Sequence, residues 1–79
     1  MGHCRGIANS LAVLGNVALA IGNPDEAKRF FRESLPMYRK LGHRPGTADI
    51  LKELGIAALV QGEFAKASRL FQRSLAIHE

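Results

Sequence analysis

Leu11-x-x-Leu14-Gly15-x-x-Ala18-Leu19-x-x-Gly22, followed by Ala27-x-Arg29-x-Phe31-x-x-Ser34-Leu35, returns forty residues later as Leu51-x-x-Leu54-Gly55-x-x-Ala58-Leu59-x-x-Gly62, followed by Ala67-x-Arg69-x-Phe71-x-x-Ser74-Leu75. Of the 39 residue pairs at that spacing, 15 are identical; Gly2/Gly42, His3/His43, Gly6/Gly46 and Ala8/Ala48 complete the set. Unrelated sequences of ordinary composition would share about two or three. The chain is therefore a tandem repeat of two units, and a unit of this length that is laid down twice predicts a stacked helical array.

Within the first unit, Leu11, Leu14, Ala18 and Ile21 recur at three and four residues. With Ile7, Ala8 and Gly15 they form one apolar stripe, which predicts a helix from about Cys4 to Ile21. Gly22 is placed to close that helix in the left-handed conformation. Asn23 is expected to cap the next, with Pro24 at its first position and Glu26 as the capping-box carboxylate. The second helix, about Pro24 to Leu41, puts Ala27, Phe30, Phe31, Ser34, Leu35 and Tyr38 inward. Pro36 lies on the opposite side, where water can satisfy the carbonyl it orphans, so a kink is expected and not a break.

Gly42 closes the second helix and Pro45 opens a third, about Pro45 to Gln61, with Ala48, Leu51, Leu54, Gly55 and Ala58 inward. Gly62 ends that one. A fourth helix, about Phe64 to His78, repeats the second with Ala67, Leu70, Phe71, Ser74 and Leu75. Short connections between four helices predict two antiparallel hairpins side by side, an all-α arrangement. Gly15 and Gly55 each cost about 1 kcal/mol inside a helix. Ala27 and Ala67 opposite them, continued by Ser34 and Ser74, predict a seam where helix backbones approach closely.

With 79 residues the chain has room for one unit of structure over 1–79, repeat 1 at about 2–41 and repeat 2 at about 42–79, burying only about 60–65% of its unfolded surface. A hydrophobic share of 47% beside 23% charged residues fits a folded soluble chain. The lone Cys4 cannot form an internal disulfide, and no Cys/His cluster has metal-ligand spacing, so neither a metal nor a cofactor is expected. His3 and His43 occupy equivalent positions one repeat apart and cannot share an ion with Cys4. The apolar run after Arg5 has the look of a leader sequence, but its return at Leu51 to Gly62 assigns it to the repeat. Asn9, Ser10 and Asn16 interrupt it, so no membrane span is predicted. A cytoplasmic, reduced setting is the expectation.

The pattern Leu14-Gly15-x-x-Ala18…Ala27-x-x-x-Phe31 and its copy resemble the tetratricopeptide repeat, W-x-x-L-G-x-x-Y…A-x-x-x-F. Leu11/Leu51 and Ala18/Ala58 stand where that family has aromatics, and the period is 40 where the family's is 34. Both departures, with the Gly-x-x-x-Gly-x-Ala lead-in at Gly2 to Ala8 and Gly42 to Ala48, are similar to a longer variant found in arrays attached to bacterial signalling ATPases and transcriptional regulators. The resemblance implies a right-handed superhelix whose first helices line a concave groove for a peptide or partner protein.

Comparing the two copies locates that groove. Inward positions on the first helices match, whereas Asn9/Asp49, Ala12/Lys52, Val13/Glu53, Asn16/Ile56 and Ala20/Val60 on the opposite face all differ. Val13, Ile56 and Val60 are apolar where a merely solvated face would prefer charge, so these ten residues are the candidate partner-binding surface. Asn16 and Lys52 fall where peptide-binding repeats of the resembled family grip a backbone or carboxylate. The net charge of +4 supplies an alternative: Arg29, Arg32, Arg39, Lys40, Lys66, Arg69 and Arg73 on the outer faces of the second helices could take nucleic acid or another anionic partner. No aromatic is interleaved for stacking, and Asp25, Glu26 and Glu33 dilute the charge, so a solvated outer face is the plainer reading.

No catalytic constellation is expected: Ser34 has no His at helical spacing, Ser74 has only His78 four residues on, and Asp49 and Glu53 are flanked by Lys52. Two repeats are fewer than the three usually needed for stability. The apolar positions around Leu70, Leu75 and Ile77 should be partly uncovered, which predicts a homo-oligomer, a dimer whose two chains stack end faces or exchange hairpins, or a place in a longer array.

Overall fold

The computed structural model describes residues 2–78, with side chains from 5 to 77. Its helices are α1 (Gly2–Ala20), α2 (Pro24–Leu41), α3 (Arg44–Val60) and α4 (Phe64–His78). α1 packs along α2 and α3 along α4, each more extensively than α2 on α3; α1 meets α3 only marginally. The four helices lie in a slab of 38 × 29 × 14 Å.

The three turns share one construction. Gly22, Gly42 and Gly62 have φ of 82°, 67° and 79°, a left-handed conformation that only a residue without Cβ adopts without strain. In each, the glycine N–H and the next N–H donate back to the helix: Gly22 to Leu19 O and Asn23 to Ala18 O, Gly42 to Arg39 O and His43 to Tyr38 O, Gly62 to Leu59 O and Glu63 to Ala58 O. These paired bonds satisfy carbonyls that a helix end leaves orphaned.

The helix starts depart from expectation. Asn23 stands at the cap position of α2 but makes no side-chain capping bond, and Glu26 Oε1 accepts from Arg29 Nη1 at 3.4 Å instead. At α3 the capping side chain is His43, whose Nδ1 accepts from the Gly46 N–H at 2.9 Å, so the imidazole fills the role that Ser or Asn usually takes. α2 runs unbroken through the exposed Pro36.

The core forms along the interior helices. Ala8, Ala18, Ala27, Phe31, Tyr38, Ile50 and Leu54 make one buried cluster, joined at its edge by Ala12, Leu19, Phe30, Leu35, Met37 and Leu70. Gly15 and Gly55 are buried, and the atoms nearest to where a Cβ would stand are aromatic ring carbons. A Cβ on Gly15 would lie 2.4 Å from Phe31 Cε1, and one on Gly55 2.8 Å from Phe71 Cε1. The glycines make room for these phenylalanines. Ser34 Oγ donates within α2 to Phe31 O at 3.0 Å, whereas Ser74 Oγ crosses from α4 to donate to Ala48 O of α3 at 2.8 Å, so only the second ties two helices together.

One group of expected core positions is corrected. Leu14 is 47% exposed whereas its counterpart Leu54 is 8% exposed, because α2 packs on α3 and, among the described residues, no helix packs on the matching side of α1. Ile7 and Ile21 are exposed for the same reason, and Leu11 is only partly covered. At the other end Leu75 is exposed while Leu70 and Ile77 are half-covered.

Candidate functional site

On α1 and α3 the inward positions are taken up by Ala8, Gly15 and Ala18 and by Ala48, Leu51, Gly55 and Ala58, all buried. Small residues at those positions draw the helices down onto α2 and α4 and leave their outer faces to solvent. Between α1 and α3 runs a cleft of about 240 Å³, lined by Ala12 and Asn16 from one side and Asp49, Lys52 and Glu53 from the other. Phe31 and Tyr38 of α2, with Gly46 and Ile50, complete its lining. Five of the ten residues singled out from the sequence therefore share one concavity.

The other five are more dispersed. Asn9 lines a shallow depression on α1 with Ser10, Val13 and Leu14, and its Oδ1 also accepts a hydrogen bond from the Tyr38 hydroxyl. Val13, Ala20 and Val60 are exposed and Ile56 is half-buried, outside the cleft. Of the remaining lining residues, Phe31 and Tyr38 are ones that the sequence reading assigned to packing, and Gly46 and Ile50 are ones to which it gave no contact. The signal for Tyr38 is that a single tyrosine stands at a position where the second copy has His78.

Tyr38 ties the cleft together. Its ring lies against Gly46, where an added Cβ would come within 2.6 Å of Tyr38 Cδ1, and tilts by 35° against His43 with centroids 5.5 Å apart. Burial pushes its phenol above the usual tyrosine range and the Asp49 carboxylate adds to this, while Arg5 pulls the other way. The hydroxyl stays neutral near pH 7, a donor to Asn9 at the edge of the cleft. Asp49, Lys52 and Glu53 make its α3 wall mixed in charge, suited to polar contacts with a bound backbone.

A second concavity, of about 280 Å³, lies on the opposite side between α2 and α4. Lys28, Arg32, Lys66, Arg69 and Arg73 surround an apolar floor of Leu54 and Leu70. Arg32, Lys66, Arg69 and Arg73 of the basic set read from the sequence meet here, with Lys28 added; Arg29 pairs with Glu26, and Arg39 lies by Arg44 and Ile77. Glu63 is the local counter-charge: Lys28 Nζ stands 2.7 Å from its Oε1 and Lys66 Nζ 3.7 Å from its Oε2. Hydrogen bonding from Lys28 holds the Glu63 carboxyl below its usual range against some opposing desolvation, and the Lys66 ammonium contributes.

Among the described residues, no group of three or more His, Cys, Asp and Glu is placed to hold a metal ion; the side chains of His3 and Cys4 lie outside them. No helix among the described residues is long and apolar enough to cross a membrane. Compared with protein families, the chain matches the tetratricopeptide repeat over residues 6–79. No individual curated protein and no solved structure gives a match.

Proposed function

Because the chain belongs to the tetratricopeptide repeat family, a family of non-catalytic scaffolds for protein association, we propose that it holds an extended peptide segment of a partner protein in the cleft between α1 and α3. The observation that carries this reading is the convergence of Ala12, Asn16, Asp49, Lys52 and Glu53, from two separate helices, over Phe31 and Tyr38. An amide and an ammonium can pin a peptide's carbonyls or carboxylate. Val13, Ile56 and Val60, outside the cleft on the same helices, are read as extending the surface for apolar side chains, with Asn9 and Ala20 beside them.

The test is a displayed-peptide selection on the wild-type chain, followed by affinity measurement on the Asn16→Ala/Lys52→Ala double variant. Selected peptides should lose about tenfold or more, the effect of removing two interfacial polar contacts. Peptides that bind the double variant equally well would refute the reading.

The cationic concavity between α2 and α4 supports a second reading, in which an anionic partner, nucleic acid included, docks on the convex side. Of the five cations there, Lys28 and Lys66 pair with Glu63, and among the described residues Arg32, Arg69 and Arg73 make no salt bridge. Affinity for a short oligonucleotide should then fall steeply with added salt and on replacing Arg32, Arg69 and Arg73; salt-insensitive binding would refute it.

The uncovered sides of α1 and α4 support self-association. The forty-residue period supports kinship with the longer bacterial variant and, with it, a cytoplasmic setting. The unit 1–79 is read as repeats at about 2–41 and 42–79.

A further inference from the structure

We infer that copies of this chain join head to tail, with the outer side of α4 of one copy covering the outer side of α1 of the next in the register that α2 takes on α3. The inference rests on the self-association reading and specifies its geometry. Because the repeat is internal, every contact at the α2–α3 junction has a counterpart pair split between the two ends.

At the junction Asp25 Oδ1 accepts from Gln61 Nε2 at 2.6 Å, and Lys28 pairs with Glu63 at 2.7 Å. The corresponding end pairs are Ala65 with Ile21 and Ser68 with Asn23. Both members have changed together: a polar pair has become apolar on both sides, and an ion pair has become uncharged on both sides. Tyr38 fills the space beside Gly46, whereas its counterpart Gly6 has nothing within 4 Å.

The uncovered stripe of α1 is also more apolar than the covered stripe of α3. Ile7, Val17 and Ile21 stand where α3 has Thr47, Ala57 and Gln61, with Ser10 in place of Ile50 as the exception. Val17 is 52% exposed and Ala57 fully buried. On α4, Leu75 is 65% exposed, whereas its counterpart Leu35 is partly buried against the core. Large apolar side chains on both unpartnered ends, matched in register, fit a heterologous contact that repeats without closing.

The experiment blocks each end separately. Val17→Glu disables the head and Leu75→Glu the tail; both sites are exposed, so the variants should keep wild-type helicity, and Ile21→Glu provides a second head block. By analytical ultracentrifugation, the wild-type mass should climb with concentration without a plateau, and each variant alone should stay at 8.6 kDa. An equimolar mixture of Val17→Glu and Leu75→Glu should form a one-to-one dimer through the two remaining intact faces. A symmetric dimer that one substitution abolishes and the mixture does not restore would overturn the head-to-tail geometry while leaving self-association standing. A wild-type chain monomeric to millimolar concentration would overturn both.

Discussion

Replacing Gly15 by alanine tests whether the glycine exists to seat a ring. Helix propensity favours the change by about 1 kcal/mol. Against it, the new methyl would sit 2.4 Å from Phe31 Cε1 and 2.8 Å from Cδ1 and Cζ, and Phe31 is completely buried, so its ring can yield only toward the cleft it lines. Overpacking of this kind costs about 1–3 kcal/mol, and the full burial places Gly15→Ala at the upper end. The net loss is about 2 kcal/mol, and each kcal/mol moves Tm by about 4–8 °C in a chain of this size. Gly55→Ala meets Phe71 at 2.8–3.1 Å, but that ring is partly exposed and can yield, so its loss should be under about 1 kcal/mol. Gly6→Ala meets nothing within 4 Å and should gain about 0.5–1 kcal/mol. The assay is urea unfolding followed by circular dichroism at low protein concentration, repeated in a Phe31→Leu background where the Gly15→Ala penalty should shrink. A Gly15→Ala chain as stable as wild type, or a penalty unchanged in the Phe31→Leu background, would refute the argument.

His43→Ala should cost about 1 kcal/mol in urea unfolding by removing the α3 cap, while His43→Asn, which can cap in the same way, should recover most of it. The single tyrosine makes an alkaline titration clean: tyrosinate absorbance should appear with a midpoint above that of free tyrosine, and Asp49→Asn should move it part of the way back. Since the phenol's folded pKa is raised, the stability it contributes is complete below the unfolded value and disappears as pH climbs through the folded one. Glu63 works in the opposite direction. Its depressed folded pKa gives stability that is present above the unfolded value and lost as pH falls through the folded one, so Glu63→Gln should flatten the acid limb of a pH–stability curve.

The helices and turns are legible in the sequence because the local chemistry agrees at every level: three- and four-residue apolar spacing, prolines at helix starts, and glycines where φ must be positive. The helix caps are less so. Asn23 has the right chemistry at the right place, yet its side chain makes no capping bond, while His43 caps through a ring nitrogen that composition does not favour. Periodicity also marks Leu14 and Leu54 as equals, and only the stacking order separates them, since burial depends on which neighbour exists. The cleft is half legible. Differences between copies pick out Asn16 and Lys52, but Tyr38 serves the core and the cleft lining together, and periodicity sees only the first.

Gly22, Gly42 and Gly62 stand twenty residues apart, so the chain is a row of equal segments, each touching chiefly the one before and the one after it. Almost every native pairing is then reached by closing a short loop, and assembly of the fold should be fast, in the microsecond-to-millisecond regime of local topologies. Unravelling should likewise begin at an outer segment and travel inward as a series of nearest-neighbour steps.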